Sequence, residues 1–356
     1  MRTCVLRRSP PAPVLLKEHL RGAEAVARRE LAAYDALATP PALTPGAPRP
    51  RPFALRSTPR QDETEPPLAP VLGWFEAPSP AAPGGADDAS DDEPNADSLW
   101  VVQRWETLRT LAEYPAAPQA AAAAAATAWW PPVQRVAETP AARRARFVAT
   151  AAARAVAALA YCHARRVAHG ALDGAAFPLS LHCQTVGLTP VRPFWHAARV
   201  LLLSTADDAA PGGPGVRLAN FGFAVVGAAL PSAADAEAAE AAAASLAEAA
   251  RGDCRALGLA IAELVFAALS LEGPSDRTSA AALGRLVLDV FAGDVAAAAA
   301  FAQEEPAWAP PCALLAAGQG AGWRLVAALL DARTYSADAE DVTAAAAAFL
   351  EVVRVE

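Results

Sequence analysis

From Ser232 to the C-terminus the chain offers only helical signals, by period or by alanine content, at roughly 233–250, 253–271, 277–300, 321–331 and 337–353. The first hundred residues are built differently. Val14 to Lys17 has the pattern of a short strand, and the helix after it repeats Ala23, Val26, Ala27, Leu31, Tyr34 and Leu37 at helical spacing. Leu99 to Trp105 is a clear strand. A chain divided in this way predicts an α+β fold, a small sheet domain leaning on a helical one.

The segment from Thr39 to Asp97 is proline-rich and then acidic, ending in DDASDDEPNAD from Asp87. Such a composition cannot bury enough apolar surface to order itself and predicts a solvated loop. Within it, Leu68 to Phe75 is an island with the pattern of a strand. Past an alanine-rich, proline-bounded stretch at 115–132 comes a long amphipathic helix, Pro140 to His163, followed by strand signals at 177–182, 198–204 and 215–219. PGGPG at 211–215 is a hairpin turn rather than a phosphate loop, because no helix follows it.

With 356 residues, 54% of them hydrophobic, the chain can bury a sizeable core. Alanine supplies 98 residues against one isoleucine, one methionine, two asparagines and a single lysine, the skew of a GC-rich coding sequence. The alanine runs therefore carry little functional weight. Apolar stretches such as Arg255 to Leu271 are diluted by charges and alanine, so a membrane-spanning protein is not expected. The net charge of −8 is uneven: +7 over residues 1–60, −10 over 61–100 and −5 over the rest, which argues against a dedicated nucleic-acid binder. Cysteines 4, 162, 183, 254 and 312 are odd in number and form no C-x-x-C pair, so neither a disulfide framework nor a zinc ribbon is supported. An intracellular reducing compartment, cytoplasm or plastid, fits that usage.

Three blocks carry a functional argument. ALAYCHARRVAHGALDGAAF (158–177) resembles the helix and catalytic loop of protein kinases, where Tyr-x-His is followed by H-R-D-L-x-x-x-N. VRLANFGFA (216–224) resembles the strand and D-F-G motif, and DCRALGLAIAEL (253–264) the central helix of that family. All three stand in the family's order. Upstream, VLLKE (14–18) looks like the V-A-I-K strand, RELAAYDAL (29–37) like the helix that supplies its glutamate, and LWVVQRWE (99–106) like the strand entering the hinge. Trp105, Glu106, Thr110 and Leu111 are similar to a pattern of plastid kinase-like proteins of plants and algae.

The resemblance to the protein kinase superfamily implies a two-lobed fold. Residues 1–106 would be the β-rich N-lobe, with the insertion at about 39–97, and residues 107–356 the larger helical C-lobe, with an insertion at about 183–212. The N-lobe is expected to be incomplete at its start, since no Gly-rich loop precedes Lys17. Lys17, the only lysine among 30 basic residues, falls where a kinase holds nucleotide phosphates. Glu30 would pair with it, Glu24 being the competitor, and Val102, Gln103 and Trp105 would border the nucleotide. Leu15, two before the lysine, is bulkier than the family's alanine there.

The loop departs from the family where the chemistry resides. His169 is kept, but Gly170 replaces the arginine, Ala171 the proton-accepting aspartate and Ala176 the metal-binding asparagine. Asn220 replaces the aspartate of D-F-G. Phosphoryl transfer depends on positioning and on metal ions that neutralise phosphate charge, and a methyl at 176 with a neutral amide at 220 leaves little to hold a divalent cation. Losing the general base alone costs roughly 10²–10⁴ in rate. Asp173, two residues past the base position, is the substitute base if the register shifts. A-P-E is replaced by an alanine-rich stretch with a helical pattern, which leaves Arg333 without the family's glutamate.

By likeness, His169, Phe221 and Tyr34 would stack in a buried spine beside Gly222, and Asp253 would accept hydrogen bonds from the catalytic-loop backbone. Following Gly252, Asp253 could equally be an N-terminal helix carboxylate. The expectation is a pseudokinase serving as a binding, scaffold or regulatory module for a protein partner, with ATP the one cofactor left open and magnesium not expected. The alternative is a weak or atypical ATP-binding serine/threonine kinase. Trp129, Trp130, Trp308 and Trp323 are candidate partner anchors, with core packing as the competing role.

Overall fold

The computed structural model describes residues 2–6, 12–19, 22–38, 66–78, 97–104, 140–172, 201–204, 215–227, 236–271, 275–331 and 338–355. The chain is α+β. Strand β1 (Arg2–Leu6) pairs antiparallel with β2 (Ala12–His19), β2 with β4 (Asp97–Arg104), and β4 with β3 (Val71–Pro78), giving the sheet order β1-β2-β4-β3. The strand island expected in the acidic loop is β3. Helix α1 (Glu24–Ala38) buries Ala27, Glu30, Ala33, Tyr34 and Leu37, a stripe repeating every three or four residues, and Ala27 packs on Leu99 and Val101 of the sheet.

Helix α2 (Pro140–Ala164) leads into the short strand β5 (Val167–Ala168), which pairs with β8 (Val225–Val226). Strands β6 (Leu201–Ser204) and β7 (Gly215–Leu218) pair antiparallel, as the hairpin expected around PGGPG requires. The Ala69 N–H donates to the Leu218 carbonyl at 2.9 Å and the Leu218 N–H to that of Pro67 at 3.1 Å, so the approach to β3 runs along β7.

Helix α3 (Ala236–Leu269) corrects the sequence expectation of two helices. Gly252 does not break it: a glycine costs about 1 kcal/mol in a helix interior, and alanine-rich flanks absorb that. Asp253 therefore sits in mid-helix, which removes the reading of it as an N-terminal carboxylate. The expected helix 277–300 is divided instead. It becomes a 3₁₀ turn (Asp276–Thr278), α4 (Ala280–Gly284), a π-helical turn (Arg285–Val290) and α5 (Val295–Gln303). Ala292 and Gly293 adopt positive φ, and Asp294 then caps α5 by accepting from the Ala297 N–H at 2.9 Å.

Helix α6 (Ala309–Leu330) begins with Pro310 and Pro311 in its first turn and is interrupted where Gly318, Gln319 and Gly320 turn left-handed. Only its second half carried a sequence signal, because that interruption hides the first. Helix α7 (Asp338–Val355) closes the chain onto α2 and α6. The main core joins α2, α3, α6 and α7 around Phe266 and Phe349 and reaches α1 through Ala33, Tyr34 and Leu37. Trp308 is buried edge-on to Phe266 at 5.3 Å and Trp323 packs on the same ring at 6.2 Å, so both serve the core rather than a partner surface. Among the described residues two helices, 141–164 and 306–330, are long and apolar enough to cross a membrane by length and composition, or three if the bent pair 280–290 and 295–303 counts as one span. About 61% and 44% of those windows is buried within the fold, and the second is broken at 317–320. The strand expected at 177–182, Trp129, Trp130 and Arg333 lie outside the described residues.

Candidate functional site

Strand alternation sends Leu15, Lys17 and His19 of β2 to one face. Their partners across β4 are Gln103, Val101 and Leu99. Leu99 and Val101 pack with Ala27 of α1, so this is the face that α1 covers. Lys17 Nζ donates to Glu30 Oε2 at 2.6 Å and to Asn220 Oδ1 at 3.2 Å. His19 Nε2 lies 3.2 Å from the same Glu30 oxygen, a contact absent from the sequence reading. The signal for it was its place two residues after Lys17, which has meaning only once the strand is known to reach residue 19. Glu24, the competitor for Lys17, accepts from the Gly22 N–H at 2.9 Å through Oε1, at the start of α1.

Glu30 is fully buried. Burial by itself pushes its carboxyl up, but the contacts from His19 and Lys17 outweigh that and hold it below the usual carboxylate range. Asn220 takes a φ of 67°, a left-handed conformation that asparagine tolerates better than most residues. This backbone turn aims its amide at Lys17 and places Phe221 in the core.

The Phe221 ring lies 5.0 Å from Tyr34, edge-on, and 4.9 Å from His169. Three rings thus join α1, the turn 219–224 and the loop after β5. The Tyr34 hydroxyl accepts from Gln103 Nε2 at 3.4 Å and from the Asn220 backbone, while burial and the neighbouring Glu30 raise the phenol well above its ordinary value. His169 Nε2 donates to the Ala219 carbonyl at 2.8 Å, which fixes the tautomer, and burial lowers the imidazole so that it stays neutral. A Cβ on Gly222 would meet Val26 Cγ1 at 2.5 Å, so glycine is what allows α1 to approach this turn.

Asp253, 1% exposed, anchors the loop from below. Its Oδ2 accepts from the His169 N–H at 2.6 Å and its Oδ1 from the Gly170 N–H at 3.0 Å, with His163 Nε2 a further 3.4 Å from Oδ2. Gly170 has a φ of 70°, and a Cβ there would run into the Phe223 carbonyl oxygen. A larger residue does not fit this loop as it stands.

Ala171, which the sequence resemblance placed at the base position, is a buried methyl, and Leu172 beside it is buried too. Gln103 turns its amide to Tyr34, away from any role at a sheet edge, and Val102 alternates to the opposite face from Lys17. Trp105, Asp173 and Ala176 lie outside the described residues. Among the described residues no group of three or more His, Cys, Asp or Glu could hold a metal ion.

The arrangement can therefore present one ammonium, on a lysine already balanced by a carboxylate and an amide, beside a rigid backbone loop. Searches with protein-family models, among curated proteins and among solved structures find no match to this chain.

Proposed function

We propose that the chain is a catalytically deficient member of the protein kinase superfamily: a two-lobed pseudokinase whose work is to bind or scaffold a protein partner. The observation that carries this reading is the pairing of Lys17 with both Glu30 and Asn220 above a loop whose base position is Ala171. A kinase needs that ammonium on nucleotide phosphates and a carboxylate on the metal. Here an amide takes the metal ligand's place and shares the lysine. The three-ring stack and the Asp253 anchor support the same ancestry, because they join in space the motifs that stood in the family's order.

One observation favours the second reading, a weak ATP-binding kinase: the 2.6 Å Lys17–Glu30 pair is intact. Thermal unfolding with and without millimolar ATP, each with and without magnesium, separates the two. The pseudokinase reading predicts no magnesium-dependent rise in Tm. A rise that needs magnesium and disappears in Lys17→Ala moves the assignment to the kinase, since a ligand that binds only the folded state must stabilise it.

A further inference from the structure

Large apolar side chains scattered singly over a surface are ordinary, but a group of them calls for something to cover it. Among the described residues Val290 is 67% exposed and Phe301 49%. Phe291 joins them, since it follows Val290 in the chain and its ring lies 5.7 Å from that of Phe301. Irregular backbone builds this grouping. The π-helical turn 285–290 closes with the Phe291 N–H on the Leu286 carbonyl at 3.1 Å and the Gly293 N–H on that of Val287 at 2.8 Å. Ala292 then takes a φ of 49°, which alanine rarely adopts, and the reversal brings Phe291 back onto α5. Helix α5 buries Val295, Ala298, Ala299 and Ala302 on its inner side. Ala296, Ala300 and Phe301 are exposed on its outer side, and no charged residue occurs from 295 to 303. A helix facing water normally carries charge on its outer face, so this one is made for a second apolar surface.

Charge gathers at the rim instead. Asp289 precedes Val290, Asp294 caps the head of α5 and Glu304 follows its last residue; all three are exposed, against one exposed base, Arg285. We propose that this face is a docking surface for a partner protein, which lays on it an amphipathic helix whose apolar residues are bordered by Lys or Arg. Alanines let a helix come close, Phe301 supplies the aromatic anchor, and the acids select a basic partner. The same rim disfavours a second copy of this chain. In a two-fold pair Asp289, Asp294 and Glu304 would meet their own counterparts, like charge against like. Lys17 and the loop at 169 take no part, so a failure here leaves the kinase-like reading of that site as it stands.

The test titrates the full chain with a fluorescent synthetic helix that has a leucine face bordered by lysines, read by anisotropy. A helix of the same pattern with glutamate in place of lysine is the control. The lysine helix is expected to bind and the glutamate helix not. Val290→Ser/Phe301→Ser should weaken binding by about tenfold or more, the effect of removing an aromatic anchor. Asp289→Asn/Glu304→Gln should weaken it less and flatten its dependence on salt. These side chains are exposed, so the variants are expected to keep the wild-type Tm; should the serine pair unfold the chain, Phe301→Ser alone decides. No binding of the lysine helix overturns the proposal, as does equal binding of the two helices. Binding that both variants leave unchanged does so too, since it places the helix elsewhere on an acidic protein. Sedimentation of the chain without peptide supplies the last outcome: a dimer that the serine variant dissolves gives the face to a second copy and overturns the heterologous partner.

Discussion

Two buried carboxylates organise this molecule, and they are satisfied in opposite ways. Asp253 is met chiefly by the backbone, through the N–H groups of His169 and Gly170 with the His163 ring 3.4 Å away, whereas Glu30 is met by a side chain, Lys17, with His19 beside it. A carboxylate bonded to backbone fixes the path of a loop and is indifferent to what the loop's side chains are. One bonded to a lysine is a charge balance, which a competing anion can disturb. The difference explains how the loop around residue 169 is held in place whatever side chains stand at Gly170 and Ala171. Around Lys17 the charge pair remains, but Asn220 adds an amide and no second carboxylate.

The sharpest way to break that comparison is to remove the backbone anchor. Asp253→Ala leaves two N–H groups without an acceptor beneath the loop, and each such buried group costs about 1–3 kcal/mol. A loss of roughly 3–5 kcal/mol is expected, read as a fall in the urea midpoint. Asp253→Asn, which keeps one acceptor oxygen, should cost less.

Gly170→Arg tests whether the loop has settled into a form the family's residue cannot enter. The positive φ and the nearby Phe223 carbonyl predict a loss of about 2 kcal/mol or more, measured the same way. A neutral outcome would mean that the loop moves freely, against the picture of a rigid anchor.

A third carboxylate, ten residues along the same helix, sharpens the contrast. Glu263 is 1% exposed, receives the Ala280 N–H at the start of α4 and leaves Oε1 unpartnered. Burial pushes its carboxyl up to about 8. The folded chain therefore holds a proton that the unfolded chain has released, and stability falls as pH rises from the ordinary carboxylate range through about 8. Glu263→Gln should leave Tm unchanged near pH 4 and raise stability by roughly 1–2 kcal/mol above pH 8. Equal effects at both pH values would contradict this.

Tyr34→Phe is the mildest probe. It keeps the three-ring stack and removes only the hydroxyl that Gln103 and the Asn220 backbone share, so about 1 kcal/mol is expected by urea unfolding. A much larger loss would place the weight of the stack on that hydroxyl rather than on the rings.

Part of this cluster was legible in the sequence through short local patterns. Lys17, Glu30, Tyr34, His169, Phe221 and Asp253 were each marked by a neighbouring pattern, and the structure brings all six together. His19 was not legible, since its meaning depends on strand register and on how far β2 continues. The need for glycine at 170 depends on the Phe223 carbonyl, a contact between segments over fifty residues apart, which no local pattern encodes. Helix α3 was misjudged because Gly252 and Asp253 form a valid stop-and-start signal, overridden here by packing against α2 and α6. The π-helical turn at 285–290 had no sequence signature at all.

The central claim, that a kinase-like framework persists without its chemistry, is tested most directly by phosphate transfer from labelled ATP with magnesium. The wild-type chain would be compared with Lys17→Ala and with a revertant carrying Ala171→Asp, Ala176→Asn and Asn220→Asp. The account predicts that wild type transfers no more phosphate, to itself or to a general acceptor protein, than Lys17→Ala does. Transfer by wild type that matches the revertant and is abolished in Lys17→Ala would contradict it.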